Sequence, residues 1–154
     1  MKSRPSSPDP HVLLTALAEF RFELRTFLQF SENAALEMNL HPQQHQLLLQ
    51  VAGAPVGEAV TIKYAAERLG LKHNSVVELV DRSEREGLLL RTTDADDRRR
   101  ILLRLTNKGQ RKLQQLSGDH AQELNELAPR LAKALERVGA YTQSEPSKTK
   151  RSIR

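Results

Sequence analysis

Apolar residues between positions 10 and 38 recur at helical spacing. Leu13, Leu17, Phe20, Leu24, Phe27 and Leu28 fall on one stripe at about 100° per residue. Asp9 stands as the N-cap of this helix and Pro10 takes its first position, where a missing N–H costs nothing. Val12 and Phe30 lie well away from the stripe, Phe22 lies on a third side, and no Phe occurs elsewhere in the chain. A helix that is apolar on several sides needs several partners, and a chain of 154 residues offers few internal surfaces. The pattern therefore predicts a dimer, with this helix running to about Met38 and a break admitted near Ser31.

A second helix is expected from Pro42 through Leu47, Leu48, Leu49 and Val51 to Gly53, followed by a loop over 54–59. Val60 to Ile62 has room for a short strand, and Thr61 or Ile62 opens a third helix carrying Ala65, Ala66 and Leu69. Gly70 is placed to end that helix in a left-handed conformation. After the Leu71-Lys72 turn, a fourth helix spans about His73 to Glu86, with Val76, Leu79 and Val80 as its core face and Gly87 as its stop. A short helix, a tight turn and a second helix make a helix-turn-helix. Two apolar runs follow, Leu88 to Leu90 and Ile101 to Leu105, separated by a turn dense in charge, and Thr106 then opens another helix. Helix, strand, charged tip, strand is the layout of a winged helix.

From Thr106 onward Leu113, Leu116, His120, Leu124, Leu127, Leu131, Leu135 and Val138 keep spacings of three and four, as in a coiled-coil seam. Gly118 and Pro129 interrupt it, and Pro129 removes a helical hydrogen bond. Two helices, or one kinked helix with its joint near Ala128, are predicted. The fold class is thus mainly α with a small β-hairpin wing (α+β), a winged helix-turn-helix flanked by N- and C-terminal dimerisation helices. Residues 1–9 read as a disordered N-terminus, 10–40 as a dimerisation helix and 41–105 as the DNA-binding lobe. Residues 106–141 read as C-terminal dimerisation helices and 142–154 as a disordered basic tail carrying Lys148, Lys150, Arg151 and Arg154.

Composition narrows the function classes. With no Cys, disulfides and thiol chemistry are excluded, thiol-based redox sensing included. No stretch approaches the ~20 apolar residues of a membrane span, and Met1 to Pro10 lacks the apolar segment of a signal peptide. A cytoplasmic protein with no membrane partner is expected. The formal net charge of +5 suits a nucleic-acid partner, although a generic basic surface would give the same figure.

The fourth helix is the expected recognition helix. His73, Asn74, Ser75, Val77, Glu78 and Arg82 fall off its core face, the first three at the end that enters the major groove in helix-turn-helix proteins. Asn and Arg can make bidentate contacts to adenine and guanine edges, Ser can bond a phosphate or base, and Val77 can touch a thymine methyl. Asn74 and Ser75 read equally well as helix caps. Glu78 repels phosphate, though it can accept from cytosine. The wing tip offers Arg98, Arg99 and Arg100, which alternate direction along an extended strand and can reach a phosphate or a narrow minor groove. Lys63, Lys72 and Arg104 are further phosphate contacts by type, which would position the protein without reading sequence.

No catalytic constellation is present, so an enzyme is not expected. No Ser lies in a Gly-x-Ser-x-Gly setting, and neither a phosphate loop nor a dinucleotide fingerprint occurs. His41 and His45 sit four apart with Glu37 a turn earlier, and His120 could approach them, a spacing that can bind a metal. His41 precedes Pro42 as a cap, however, and no Glu fills the intervening zincin position, so neither metal nor cofactor is expected.

Residues Asp94, Ala95, Asp96, Asp97, Arg98 and Arg99, followed by Leu105, Thr106 and Gly109, resemble the wing of the MarR family, roughly Asp-Pro-x-Asp-Arg-Arg and then Leu-Thr-x-x-Gly. Ala95 replaces the usual Pro, and Ser83 stands where that family usually has a core Leu. The resemblance spans about residues 10 to 140. It implies a homodimer on double-stranded DNA, recognition helices in successive major grooves and wings over the flanking minor grooves. It further implies transcriptional control, usually repression of a pseudo-palindromic operator, often relieved by a small-molecule effector whose pocket the sequence does not locate. The four Phe and His45 could line such a pocket, but core packing accounts for them better. The resemblance also supports an Asp81 to Arg99 pair in which the carboxylate orients the wing. A winged-helix protein-protein interaction module without sequence-specific DNA binding is the alternative, kept open by Glu78 and by Asp94, Asp96 and Asp97.

Overall fold

The computed structural model describes residues 9–144, so the expectations for residues 1–8 and 145–154 lie outside the described part. Seven elements follow one another: α1 (Pro10–Glu37), α2 (Pro42–Ala52), α3 (Ile62–Leu69), α4 (His73–Arg85), β1 (Leu89–Thr93), β2 (Ile101–Leu105) and α5 (Asn107–Ser144). They divide into two compact units, one of residues 30–120 and one joining the outer parts of α1 and α5. No helix among the described residues is long and apolar enough to cross a membrane.

The unit of residues 30–120 carries a core of Leu40, Leu47, Leu48, Val76, Leu79, Val80, Leu88, Leu89, Leu103 and Leu116, all nearly or wholly closed to water. Burying each Leu side chain stabilises by about 1.5–3 kcal/mol relative to leaving it exposed. His41 opens α2 with a capping box: its Nδ1 accepts from the Gln43 N–H, and Gln44 Oε1 accepts from the His41 N–H. The buried Gln44 amide then donates to Glu86 Oε2 at 3.0 Å, tying α2 to the end of α4. Thr61 Oγ1 caps α3 by accepting from the Tyr64 N–H. Gly70 at φ 65° and Gly87 at φ 70° end α3 and the α4 turn in the left-handed region that a Cβ disfavours. The two strands form an antiparallel hairpin in which Leu89 faces Leu105, Arg91 faces Leu103 and Thr93 faces Ile101.

Three expectations change, and one alternative is decided. Val60 to Ile62 forms no strand, because Thr61 already caps α3 and only the Val60 carbonyl is left to accept from the Leu103 N–H, at 2.8 Å. α1 runs without a break through Ser31, whose hydroxyl is engaged by His120 Nε2 at 2.7 Å instead of competing with the helix. Of the two alternatives for the C-terminal segment, the single helix is found, α5 with Pro129 inside it. Proline removes one donor, and the exposed Asn125 four residues earlier leaves its carbonyl where water can serve it. The same helix continues to Ser144, three residues into the segment read from sequence as tail.

The unit of outer helices is built differently. Among the described residues its buried positions are small or polar, Ala16, Glu23 and Ala134, with Leu127 the one large apolar side chain. Arg130 Nε donates to Glu23 Oε2 at 2.9 Å and joins α5 to α1. Much of the stripe expected to pack is open, with Leu17, Leu24 and Leu28 at 40%, 39% and 47% exposure and Leu135 at 54%. Phe22, on the third side of α1, is 63% exposed.

Candidate nucleic-acid interface

α4 begins at His73 because Lys72 is extended, at φ −68° and ψ 149°, and stands as the N-cap without a side-chain hydrogen bond. Asn74 and Ser75 therefore do not cap the helix. They stand with His73 on its first turn, exposed, while Val76, Leu79 and Val80 turn into the core. Glu78 and Arg82 are exposed and Val77 is half-buried. Ser83, in place of a larger core residue, is fully buried and donates to the Leu79 carbonyl at 2.8 Å, so its hydroxyl is satisfied within the helix.

The acids of the wing fold the wing. Asp94 Oδ1 accepts from the Asp96 N–H at 3.0 Å, and Asp97 Oδ1 accepts from the Arg99 N–H at 3.0 Å. Backbone bonds from Asp94 to the Arg100 carbonyl and from Arg100 to the Asp97 carbonyl close the tip, and Arg100 pairs with Asp94 Oδ2 at 3.6 Å. Asx turns of this kind replace the rigidity that a proline at position 95 would supply. Arg98 and Arg99 are exposed at the tip. An open groove lined by Thr61, Ile62, Lys63, His73, Arg99, Arg100 and Ile101 brings the start of α3, the start of α4 and the wing together. Lys72 and Arg82 are exposed outside that groove, and Arg104 Nε donates across the hairpin to Thr92 Oγ1 at 3.3 Å.

The Asp81 partner differs from the expected one. Asp81 Oδ1 takes Arg91 Nη2 at 2.6 Å, Glu84 Oε2 takes Arg91 Nη1 at 2.5 Å, and Glu84 Oε1 accepts from the Arg91 N–H. Arg91 lies on the face of the hairpin that carries Leu89 and Leu103, the face turned to the core, so its guanidinium reaches α4. Arg99, at the far end of the hairpin, is bonded through its backbone to Asp97 instead. Burial opposes the charge on Arg91, but the hydrogen bonds it donates to Asp81 and Glu84, with their negative charge, outweigh it and raise its pKa above the ordinary arginine value. Sequence reasoning missed Arg91 and Glu84. The signal was there: Arg91 is two residues from the buried Leu89, and Asp81 and Glu84 are three apart on one helix flank.

The Leu-Thr-x-x-Gly segment fastens the base of the wing. Thr106 Oγ1 donates to the Gly87 carbonyl at 2.6 Å and accepts from the Gly109 N–H at 3.1 Å, while the Thr106 N–H bonds the Leu88 carbonyl. A Cβ at Gly109 would overlap the Leu88 carbonyl oxygen. Only glycine lets α5 start this close to the chain entering β1.

His41 is spent as the cap of α2, and His45 is buried with its ring centroid 4.9 Å from that of His120. Burial, and then the charge that His120 can carry, lower the His45 pKa from 6.5 to about 4. Among the described residues, no group of three or more His, Cys, Asp or Glu is placed to hold a metal ion.

These elements define a winged helix-turn-helix. Residues 38–100 match the family model described as MarR family. Among solved structures, a MarR family protein from Bacillus stearothermophilus is 17% identical over 88% of this chain and 98% of its own, with a TM-score of 0.68. A mutant of Staphylococcus aureus MepR bound to an oligodeoxyribonucleotide is 21% identical over 80% of this chain and 90% of its own, at 0.59. CouR from Rhodococcus jostii bound to p-coumaroyl-CoA is 22% identical over 96% of this chain and all of its own, at 0.62. The comparison with curated protein sequences gave no match. The family match covers residues 38–100, the winged lobe, and over most of its length the chain shares the fold of these MarR family structures.

Proposed function

We propose that the protein represses transcription as a homodimer on a pseudo-palindromic operator, reading the major groove with α4 and the flanking minor groove with the wing. The observation that carries this reading is the groove in which Lys63, His73, Arg99 and Arg100 converge from three elements. His73, Asn74, Ser75, Val77, Glu78 and Arg82 are assigned to base edges, Arg98 and Arg99 to the minor groove. Lys63, Lys72, Arg100 and Arg104 are assigned to phosphates. Of the acids that kept a DNA-free interaction module open, Asp94 and Asp97 are spent in the wing turn, and the further acids Asp81 and Glu84 are spent on Arg91. Glu78 alone among the assigned recognition positions presents a carboxylate, suited to a cytosine N4 amine.

The dimer is assigned to the outer helices, residues 10–40 and 106–141, where exposed Leu17, Leu24, Leu28, Phe22 and Leu135 leave apolar surface for a second copy. The DNA-bound MepR mutant and the CoA thioester bound to CouR support DNA and a small-molecule effector as the two ligands of this chain. Selection of bound duplexes from a random pool tests the reading. The expected result is an inverted repeat with half-sites about one helical turn apart and an affinity that falls steeply with salt. Binding with no inverted symmetry would overturn the two-helix arrangement, and no DNA affinity at low salt would overturn the assignment altogether.

A further inference from the structure

Three side chains outside the DNA-facing set form the tightest ionic cluster described in the lobe. Arg91, on β1, spans Asp81 and Glu84 on α4 with one guanidinium nitrogen on each carboxylate, at 2.6 and 2.5 Å. A third bond, from the Arg91 N–H to Glu84 Oε1 at 3.1 Å, fixes the strand backbone to the same helix. The planar fork of arginine matches two acceptors at once, which a single ammonium cannot do. The Arg91 side chain is 26% exposed, whereas Arg98 and Arg99 stand out at the tip, so Arg91 is held back from the groove where DNA is assigned.

We infer that Arg91 is a positioning residue for DNA binding: it locks α4 to the first wing strand, so that helix and wing meet the duplex at one fixed spacing. This rests on the assignment of α4 and the wing to DNA. The hairpin has few other ties to α4. Leu88 and Leu89 pack at its base, and beyond Leu89 the Arg91 bonds are the hydrogen bonds recorded between β1 and α4. Loss of them frees the wing to swing about its apolar root, and phosphate and minor-groove contacts that need both elements at once weaken together. The same arginine also covers two negative charges on a helix that faces DNA. A positioning role and a charge-masking role make opposite forecasts when those charges are removed.

The experiment titrates a duplex selected by the unaltered protein, at two salt concentrations, against Arg91→Ala, Arg91→Lys and the triple variant Asp81→Asn, Glu84→Gln, Arg91→Ala. Arg91→Ala is expected to weaken binding about tenfold, the size of one charge-assisted tie discounted for partial exposure. Its salt slope should stay unchanged, since no phosphate contact is lost. Arg91→Lys should recover only part of the loss, and the triple variant should recover none, although it no longer carries the exposed charges. Full recovery in the lysine or triple variant would overturn the positioning role in favour of charge masking. A slope reduced by about one in Arg91→Ala would make Arg91 a direct phosphate contact instead. Hydrogen exchange of the β1 and β2 amides supplies the reading independent of DNA: faster exchange confined to the hairpin is expected in the alanine variant. Unchanged exchange with unchanged affinity would refute the inference. If the unaltered protein selects no duplex, it is the DNA assignment that fails, and the exchange data still decide whether Arg91 holds the wing.

Discussion

Acid should loosen this protein through one buried imidazole. His45 is 3% exposed, and its pKa falls from 6.5 to about 4, first because burial penalises the charged ring and second because His120 lies against it. The unfolded chain takes up this proton near pH 6.5, whereas the native lobe resists it until about pH 4. Stability from the neutral ring is therefore complete above about pH 6.5 and is lost as pH falls towards 4. At about 1.4 kcal/mol for each pH unit, the full loss is about 3 kcal/mol, of which about 2 kcal/mol has gone by pH 5. That is a large share of the 5–15 kcal/mol that holds a typical domain together. Urea denaturation of the unaltered protein and of His45→Gln, at steps between pH 7.5 and pH 5, separates this site from the exposed His11, His41 and His73. The unaltered protein should lose about 2 kcal/mol more than the variant over that range. His120→Gln should shrink that excess without abolishing it, because burial is the leading cause. Parallel pH curves for the unaltered protein and His45→Gln would refute the reasoning.

Gly109→Ala sets helix propensity, worth up to about 1 kcal/mol in favour of alanine, against a Cβ driven into the Leu88 carbonyl. Overlap with backbone should win, with a net loss of about 1–3 kcal/mol in a thermal melt, and a raised melting temperature would contradict the close approach. Arg99→Ala should weaken operator binding by roughly 1–3 kcal/mol and lower the salt slope by about one while leaving the melt unchanged, as a turn-tip side chain supports no core. Substituting Ser for Leu17, Leu24 and Leu28 together, at 39–47% exposure, should shift the subunits towards monomer in sedimentation by a few kcal/mol, about 1 for each half-buried leucine. An unchanged dimer in that variant would move the interface off this face of α1.

The lobe was legible from sequence because its local signals agree with one another. Thr61, Gly70 and Gly87 punctuate the helices where their side chains or backbone freedom are used, and Val76, Leu79 and Val80 are buried as the periodicity requires. Arg91 was hidden because an arginine in a strand reads as solvated until the opposite face of the hairpin is known, and Leu103 across from it settles that face. Asp81 was assigned to the wrong arginine for the same reason: pairing by residue type ignores which end of a five-residue strand comes near the helix. For the outer helices, the sequence did not show which positions close within the chain. The line of α1 that closes in this chain runs through Ala16 and Glu23, small and polar, and not through the leucines. An apolar stripe states that a helix will be covered, but it does not say by which chain.

The distribution of acids over the lobe bears on how such a protein can bind a polyanion at all. Asp81, Glu84, Asp94 and Asp97 lie in or beside the elements assigned to DNA, and four free carboxylates there would oppose counterion release. Each is engaged: two by Arg91, one by Arg100 and a turn amide, one by the Arg99 amide. The same bonds shape the wing tip and fix its root, so the charges that would repel phosphate are the ones that order the element proposed to reach for it. Glu78 has no such bond among the described residues and stands exposed in the middle of α4. A carboxylate left in that place costs non-specific affinity for every duplex and is repaid only where a base-edge donor meets it, which makes it a discriminator rather than an anchor. Under the proposed reading, general affinity falls to Arg98, Arg99 and the lysines, and choice of sequence to the first turns of α4.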